Sequence, residues 1–394
     1  MKKTILSSLS LGVLLSSGFL CSNAIAASNI SQEISESTIT EEQALNFFNK
    51  VLEQQKSDFL NNTPLENTDL SKLSSSDEAV LIFLSSTEVD KNQLNSFSYT
   101  ISDIKVYSEN QRNYAEAYVT RTFNFGENGI ETGLGDKLVL EIPSSSVDQK
   151  KSLSSNTVSS KTISSSKLTI ASNKNKKVKK VSVNDFLKKY KAEVEKSNKR
   201  DAAFKKNKKQ ISLTNPSTKP SKKPGFTTQV VVNDPSGSYF YDRGAAVSYA
   251  KKYALSPNSN YNYYSKGDCT NFVSQALAAG DITYFPDWKP YTDAWINAGS
   301  FRNYIRESGG IRMSTVTDAY GNAYLGDVYH YDTRNKYFVS NPDGWMEHTA
   351  IVTRKDPDTR KVYVSYHTTN RLNVTREYYT SVEGGDRFLS HITN

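Results

Sequence analysis

The side chain most able to act as a nucleophile in this 394-residue chain is a thiol, and there are only two, Cys21 and Cys269. Cys21 lies in an N-terminal stretch that reads as a removable export signal, so the mature chain would keep Cys269 alone. A single thiol cannot form a disulfide within its own chain, and in an exported protein it is a candidate reactive group. Its surroundings, Lys266-Gly267-Asp268-Cys269-Thr270-Asn271-Phe272-Val273-Ser274-Gln275, have the pattern of a turn entering a helix. Gly267 permits the turn, Asp268 is a good N-cap, and Phe272, Val273, Ala276 and Leu277 form one apolar stripe. Gly280 then stops the helix. Cys269 falls in the first turn, where free backbone N–H groups and the positive end of the helix dipole stabilise a thiolate. The bland alternative is a small buried filler, a common use of cysteine.

A thiol nucleophile needs a base beside it and a third group that orients the base. The candidates are four histidines: His330, His348, His367 and His391. Asp356-Pro357-Asp358-Thr359 reads as a turn between two strands. A two-residue loop at Pro357 and Asp358 would set His348 directly opposite His367, on one face of the sheet. A loop of odd length would shift that register. The cysteine and histidines do not fall into a zinc-ligand spacing, and residues 38–142 hold no His, Cys or Gly-rich phosphate loop; neither metal nor cofactor is expected.

The elements that must carry these groups lie in the last third of the chain. Asp242 should cap a helix burying Ala245, Ala246, Tyr249, Ala250 and Tyr253, with Pro257 beyond its end. The Cys269 helix follows, then a third helix capped by Ser300 and ended at Gly309-Gly310. Four short β-rich runs come next: 326–331, 347–353, 362–367 and 387–392. Helices first and antiparallel sheet second make an α+β arrangement.

Residues 239–394 resemble an amidase domain family of the papain-like superfamily, related to NlpC-type cell-wall peptidases and CHAP amidases. The resemblance rests on Tyr241-Asp242-Arg243-Gly244-Ala245-Ala246-Val247 and on Asp268 to Leu277. It continues with Gly326-Asp327-Val328, His348-Thr349-Ala350-Ile351-Val352-Thr353 and His367-Thr368-Thr369-Asn370-Arg371. It implies a papain-like fold, with Cys269 as nucleophile and His348 as base. His367 fits the third position, with Asn370 as its substitute. The implied activity is amide hydrolysis, with bacterial peptidoglycan as the expected substrate. The backbone N–H of Cys269 would serve as oxyanion donor, joined by a tyrosine among Tyr261, Tyr263 and Tyr264. A secreted cysteine protease or toxin acting on proteins is the competing enzyme reading. A catalytically silent surface-binding protein is the competing non-enzyme reading.

Upstream, Met1-Lys2-Lys3, an apolar run to Leu20 and Ala24-Ile25-Ala26 define a signal peptide over residues 1–26, with no membrane span after it. The net charge of +8 is unevenly spread. Residues 27–149 hold 8 basic and 20 acidic groups, residues 150–224 hold 22 and 4, and residues 225–394 hold 17 of each. These breaks divide the mature chain into an acidic domain (27–149), a Ser/Lys-rich linker (150–234) and the amidase-like domain (235–394). The acidic domain reads as helix from Thr40, a short helix at 77–84, then strands at 97–107, 113–125 and 137–142, with a turn at 126–135. That order suggests a small α+β, cystatin-like layer. The linker should be disordered over 144–173 and carry a basic amphipathic helix on Phe186, Leu187, Tyr190 and Val194. For an exported or wall-associated protein, its partners would be anionic cell-wall polymers rather than nucleic acid.

Overall fold

The computed structural model describes residues 39–61, 81–82, 85, 94–126, 130–142, 181–214, 229–234, 237–307, 310–333 and 344–392. The signal peptide expected at 1–26 and the disorder expected at 144–173 lie outside these residues. Among the described residues, no helix is long and apolar enough to cross a membrane.

Mixed helix and antiparallel sheet make the fold α+β, but the sheet is shared. Strands β1 (Leu94–Glu109), β2 (Arg112–Phe125) and β3 (Ile130–Ile142) form an antiparallel meander. It continues into β6 (Met313–Val316), β7 (Val328–Asp332), β8 (His348–Lys355), β9 (Val362–Tyr366), β10 (Asn370–Thr375) and β11 (Asp386–Ile392). The order across the nine strands is β1-β2-β3-β10-β9-β8-β7-β11-β6. A separate hairpin joins β4 (Gln229–Asp234) to β5 (Gly237–Asp242).

The expected turn at 126–135 is shorter. Phe125 pairs with Ile130, and Gly133 and Gly135 are strand residues. The glycines are there because other backbone comes close. A Cβ on Gly133 would lie 2.7 Å from the Arg121 carbonyl, and one on Gly135 would lie 2.8 Å from the Leu255 carbonyl. This close approach lets Gly133, Leu134 and Gly135 pair with Leu372, Arg371 and Asn370, the seam between the acidic region and the C-terminal sheet. Glycine at a strand interior often marks such a contact.

Helix α1 (Glu41–Asn61) packs Ala44, Phe48 and Leu52 against Ala115, Ala117, Val119 and Leu140. Thr40 caps it: its hydroxyl accepts from the Gln43 N–H, and the Gln43 side chain accepts from the Thr40 N–H. Within the stretch read as a linker, α2 (Val183–Thr214) forms, with Ser182 accepting from the Asp185 N–H. Its Phe186 and Tyr190 join a core made with Tyr329, Tyr331, Ala350, Val352, Val364, Tyr366 and Tyr378. The lysines between them stay exposed.

The other face of the C-terminal sheet carries α3 (Arg243–Tyr253), α4 (Cys269–Ala279), the short α5 (Asp293–Ile296) and α6 (Ala298–Glu307). Ala246, Ala250, Phe272, Val273, Leu277 and Phe301 pack there against Val328, Ile351 and Ile392. Asp242 caps α3 as the sequence suggests, accepting from the Ala245 N–H at 2.9 Å. The cap near α6 differs: Asn297, not Ser300, accepts from the Ser300 N–H. A further helix, α7 (Arg376–Glu383), has no counterpart in the sequence reading.

Gly135→Ala is expected to destabilise the protein by about 1–3 kcal/mol, because the added methyl has no room at the seam. Urea unfolding of the two proteins measures the difference; equal midpoints would contradict the close approach.

Candidate active site

Cys269 is the first residue of α4 and is buried. The first intrahelical hydrogen bond is donated by Phe272 to the Asp268 carbonyl at 2.9 Å. The N–H groups of Cys269, Thr270 and Asn271 therefore have no acceptor within the helix, which leaves donors at the thiol. Asp268 does not cap these groups with its side chain. Its Oδ1 instead accepts from the Tyr264 N–H and from Asn271 Nδ2, and its Oδ2 lies 2.6 Å from His367 Nδ1.

His367 is thus a pillar of the helix start. Its Nε2 lies 2.7 Å from the Tyr253 carbonyl, and its ring stacks on Phe272 with centroids 4.1 Å apart. Both ring nitrogens face acceptors, so both contacts are hydrogen bonds only when both nitrogens carry hydrogen. Neither nitrogen is left for His348.

The expected opposition of His348 and His367 does not occur. Asp356 and Lys361 close the turn, leaving four residues, Pro357 to Arg360, in the loop. The Asp356 side chain accepts from the Asp358 and Thr359 N–H groups, and Arg360 takes a positive φ of 56°. An irregularity between Val352 and Arg354 then shifts the register, so that Ile351 pairs with Ser365 and Val352 with Val364. The net slip is one residue, which sends paired side chains to opposite faces. His367 lies with Phe272 on the α4 face. His348 lies with Tyr331 and Tyr366 on the other.

His348 opens β8 and sits among three tyrosines. Tyr379 of α7 stacks on it in parallel, with centroids 4.1 Å apart and planes 6° apart. Tyr366 meets it edge-on at 4.6 Å, and Tyr331 lies at 5.7 Å. Its Nε2 is buried and has no hydrogen-bond partner among the described residues. Burial pushes the ring down to about 3, so it is neutral near pH 7, the form able to accept a proton.

Two observations bring Cys269 and His348 to the same place. The hydroxyls of Thr270 and Thr349, their immediate chain neighbours, meet at 3.1 Å. Tyr379, stacked on His348, also feels Cys269: its hydroxyl is pushed well up by burial, then by Glu383 and by the thiol. The one polar contact of Cys269 Sγ among the described residues is Thr270 Oγ1, at 3.8 Å. No Sγ–imidazole hydrogen bond is formed. Apo sites often show such contacts unmade.

The remaining sequence candidates are placed elsewhere. Asn370 Nδ2 donates to Tyr118 Oη at 2.7 Å, at the seam with β3. Tyr263 stands edge-on to His367, and Tyr261 stacks on Trp295. His391 Nδ1 lies 2.9 Å from Asp327 Oδ2, within the buried Arg243–Asp327 pair. His330 is fully buried beside Phe301, with neither ring nitrogen partnered among the described residues, and burial followed by Arg302 pushes it well below its ordinary value. Among the described residues, no three Cys, His, Asp or Glu side chains converge as metal ligands do.

Tyr379 was not found by sequence reasoning. The Thr375 N-cap position and the Gly384-Gly385 stop bracket a helix, but nothing local shows which histidine its tyrosine covers.

Comparison with known proteins then places the chain. It is 43% identical to a Bacillus subtilis protein described as "Uncharacterized protein YjcM", over the whole length of both chains. The chain belongs to the YjcM family. Residues 240–388 match the family described as "Putative amidase domain", a stretch that contains Cys269, His348, His367 and Asn370. No solved structure matches the chain.

Both buried imidazoles have native values below the ordinary 6.5, so the unfolded chain binds more protons in the acid range. The stability tied to a neutral His348 is complete above pH ~6.5 and is lost as pH falls toward about 3, with about 2 kcal/mol of it going between pH 7 and pH 5. His330 contributes a loss of the same sign, so His330→Leu should lose less stability than wild type between pH 7 and pH 5, read from urea unfolding at the two pH values. An unchanged pH dependence would contradict a neutral buried His330.

Proposed function

We propose that this YjcM-family protein is an exported cysteine-dependent amide hydrolase of the papain-like, NlpC-related kind, acting on amide bonds of bacterial peptidoglycan. The observation that supports this reading is the Thr270–Thr349 contact, which joins the chain beside a thiol at a helix N-terminus to the chain beside an imidazole whose Nε2 has no partner among the described residues, inside the amidase-family match.

In this reading His348 Nε2 takes the Cys269 proton as Sγ attacks the amide carbonyl. The developing oxyanion is held by N–H groups at the start of α4. The proton passes from His348 to the leaving amine, and water hydrolyses the acyl-enzyme. Charge on both partners is offset because thiolate and imidazolium form together. His367 contributes by holding Asp268 and the helix start rather than by orienting His348. Asn370 is a seam residue whose effect would be indirect.

The exposed lysines of α2 support the proposal that anionic wall polymers are a second partner. Two of the helix acids, Glu193 and Asp201, turn inward to Arg387 and Arg360, which leaves Lys188, Lys189, Lys205 and Lys206 at the surface.

Cys269→Ala is expected to abolish product release from purified peptidoglycan, followed by mass spectrometry, while leaving the melting temperature nearly unchanged. His348→Ala should do almost the same, since members of one catalytic unit are not additive. Cys269→Ala activity within about tenfold of wild type would overturn the mechanism.

Co-sedimentation with isolated walls is expected to fall steeply with salt, because the lysines act through counterion release and screening. Replacing Lys188, Lys189, Lys205 and Lys206 by Gln should weaken it at low salt. Retention indifferent to salt or to the four substitutions would rule the polymer contact out.

A further inference from the structure

Tyr379 covers one side of the His348 ring, and the helix that carries Tyr379 is contacted by a helix from outside the amidase-family match. The parallel stack described above fixes the plane of the imidazole, while Tyr366 and Tyr331 close its edges. Such a cage leaves little freedom about the ring's side-chain torsions. Tyr379 rides on α7, only eight residues long, so its place depends on what holds that helix.

The first two residues of α7, Arg376 and Glu377, and Thr380 after Tyr379 are tied down by buried charge, much of it from α2. Arg376 meets Asp318 at 2.9 Å and Glu377 at 2.8 Å. Glu377 accepts from Ser197 Oγ of α2 at 2.6 Å. Thr380 donates to Glu193 of α2 at 3.2 Å. Glu193 also pairs with Arg387 of β11 at 2.9 Å, and Ser197 Oγ accepts from Arg387 at 2.6 Å. Phe186 of α2 packs on Tyr378, the residue beside Tyr379 in sequence. Buried charges of this kind tolerate little displacement, because a lost partner leaves the other charge uncompensated.

We propose that Tyr379 is a positioning residue for His348, and that α2 holds it in place through α7, so that residues 183–214 belong to the working active site. This rests on the reading of His348 as the base. The stack fixes which way Nε2 points, and a misplacement of about 1 Å can cost 10²-fold in rate. Helix α2 then has two sides with separate duties. Its inner face, with Glu193, Ser197 and Phe186, sets the geometry of the base; its outer face carries the lysines. An inhibitory prosegment would behave in the opposite way, since its removal would raise activity.

The test uses the full chain and reads iodoacetamide alkylation of the Cys269 peptide near neutral pH by mass spectrometry, with melting temperature alongside. His348→Ala is expected to slow alkylation by about tenfold or more, as loss of an activating base does. Tyr379→Phe keeps the ring stack and should stay within about twofold of wild type, whereas Tyr379→Leu should approach His348→Ala. Glu193→Gln, remote from the thiol, should show a smaller, severalfold loss. On peptidoglycan the Leu variant should lower kcat with KM little changed, since a misaimed base does not alter ground-state binding. If Tyr379→Leu does not fold, Glu193→Gln carries the test. Alkylation of Tyr379→Leu or Glu193→Gln at the wild-type rate, with His348→Ala slow, would overturn the positioning role alone. Alkylation of His348→Ala at the wild-type rate would overturn the base assignment and the positioning role with it.

Discussion

The buried carboxylate of Asp318 is the point on which much of the C-terminal half depends. Burial by itself would push its proton affinity up, but Arg387 and Arg376, aided by Tyr329 and Arg200, hold it well below the usual carboxylate range. The four partners come from different parts of the chain: Arg200 from α2, Tyr329 from β7, Arg376 from α7 and Arg387 from β11. Arg387 and Arg376 also meet further acceptors, Glu193 for the first and Glu377 and Asp201 for the second. A group of this kind contributes less net stability than its short distances suggest, because every charge has been taken out of water. What it contributes is specificity of arrangement. The observed packing of α2, α7 and β11 pairs these charges together.

That arrangement explains how one sheet serves two different tasks. On the α4 face, the sheet supports the helix that presents Cys269, and His367 and Thr349 bind the start of that helix. On the α7 face, tyrosines from β7, β9 and α7 enclose His348. The thiol stands at the start of α4 on one face and the imidazole at the start of β8 on the other. The Thr270–Thr349 contact at 3.1 Å pins the two beginnings together. A helix N-terminus placed there gives the thiol unsatisfied N–H donors and a favourable dipole at once.

The acidic N-terminal region takes part in the same sheet through a short seam. Tyr118 of β2 donates to the Leu255 carbonyl at 2.6 Å and accepts from Asn370, a few residues after His367. Two strand glycines make the approach possible. The seam pairs three residues on each side, and the cores meet across it: Ala44, Phe48 and Leu52 of α1 keep a cluster with the meander, whereas Phe59, Phe97, Phe123 and Leu134 share one with α2 and the C-terminal sheet.

The local chemistry of the site was legible in the sequence. Gly267-Asp268-Cys269 followed by an apolar stripe determines a turn and a buried helix, and it places the thiol in the first turn because helix periodicity leaves no other position. The Asp242 cap, the basic amphipathic helix and the short strands follow from equally local causes. Tertiary structure decided the rest. Asp268 has capping chemistry, yet His367 and Asn271 compete for its oxygens and win. The face occupied by His348 hangs on a one-residue slip, set by a four-residue loop and an irregularity at Val352 that period-2 patterning cannot register. The lysine-rich segment reads as a linker with a basic amphipathic helix because its charge dominates its composition. Its inward acids acquire meaning only against Arg387 and Arg376, nearly two hundred residues away, and the role of Tyr379 exists only once that helix has brought α7 down on His348.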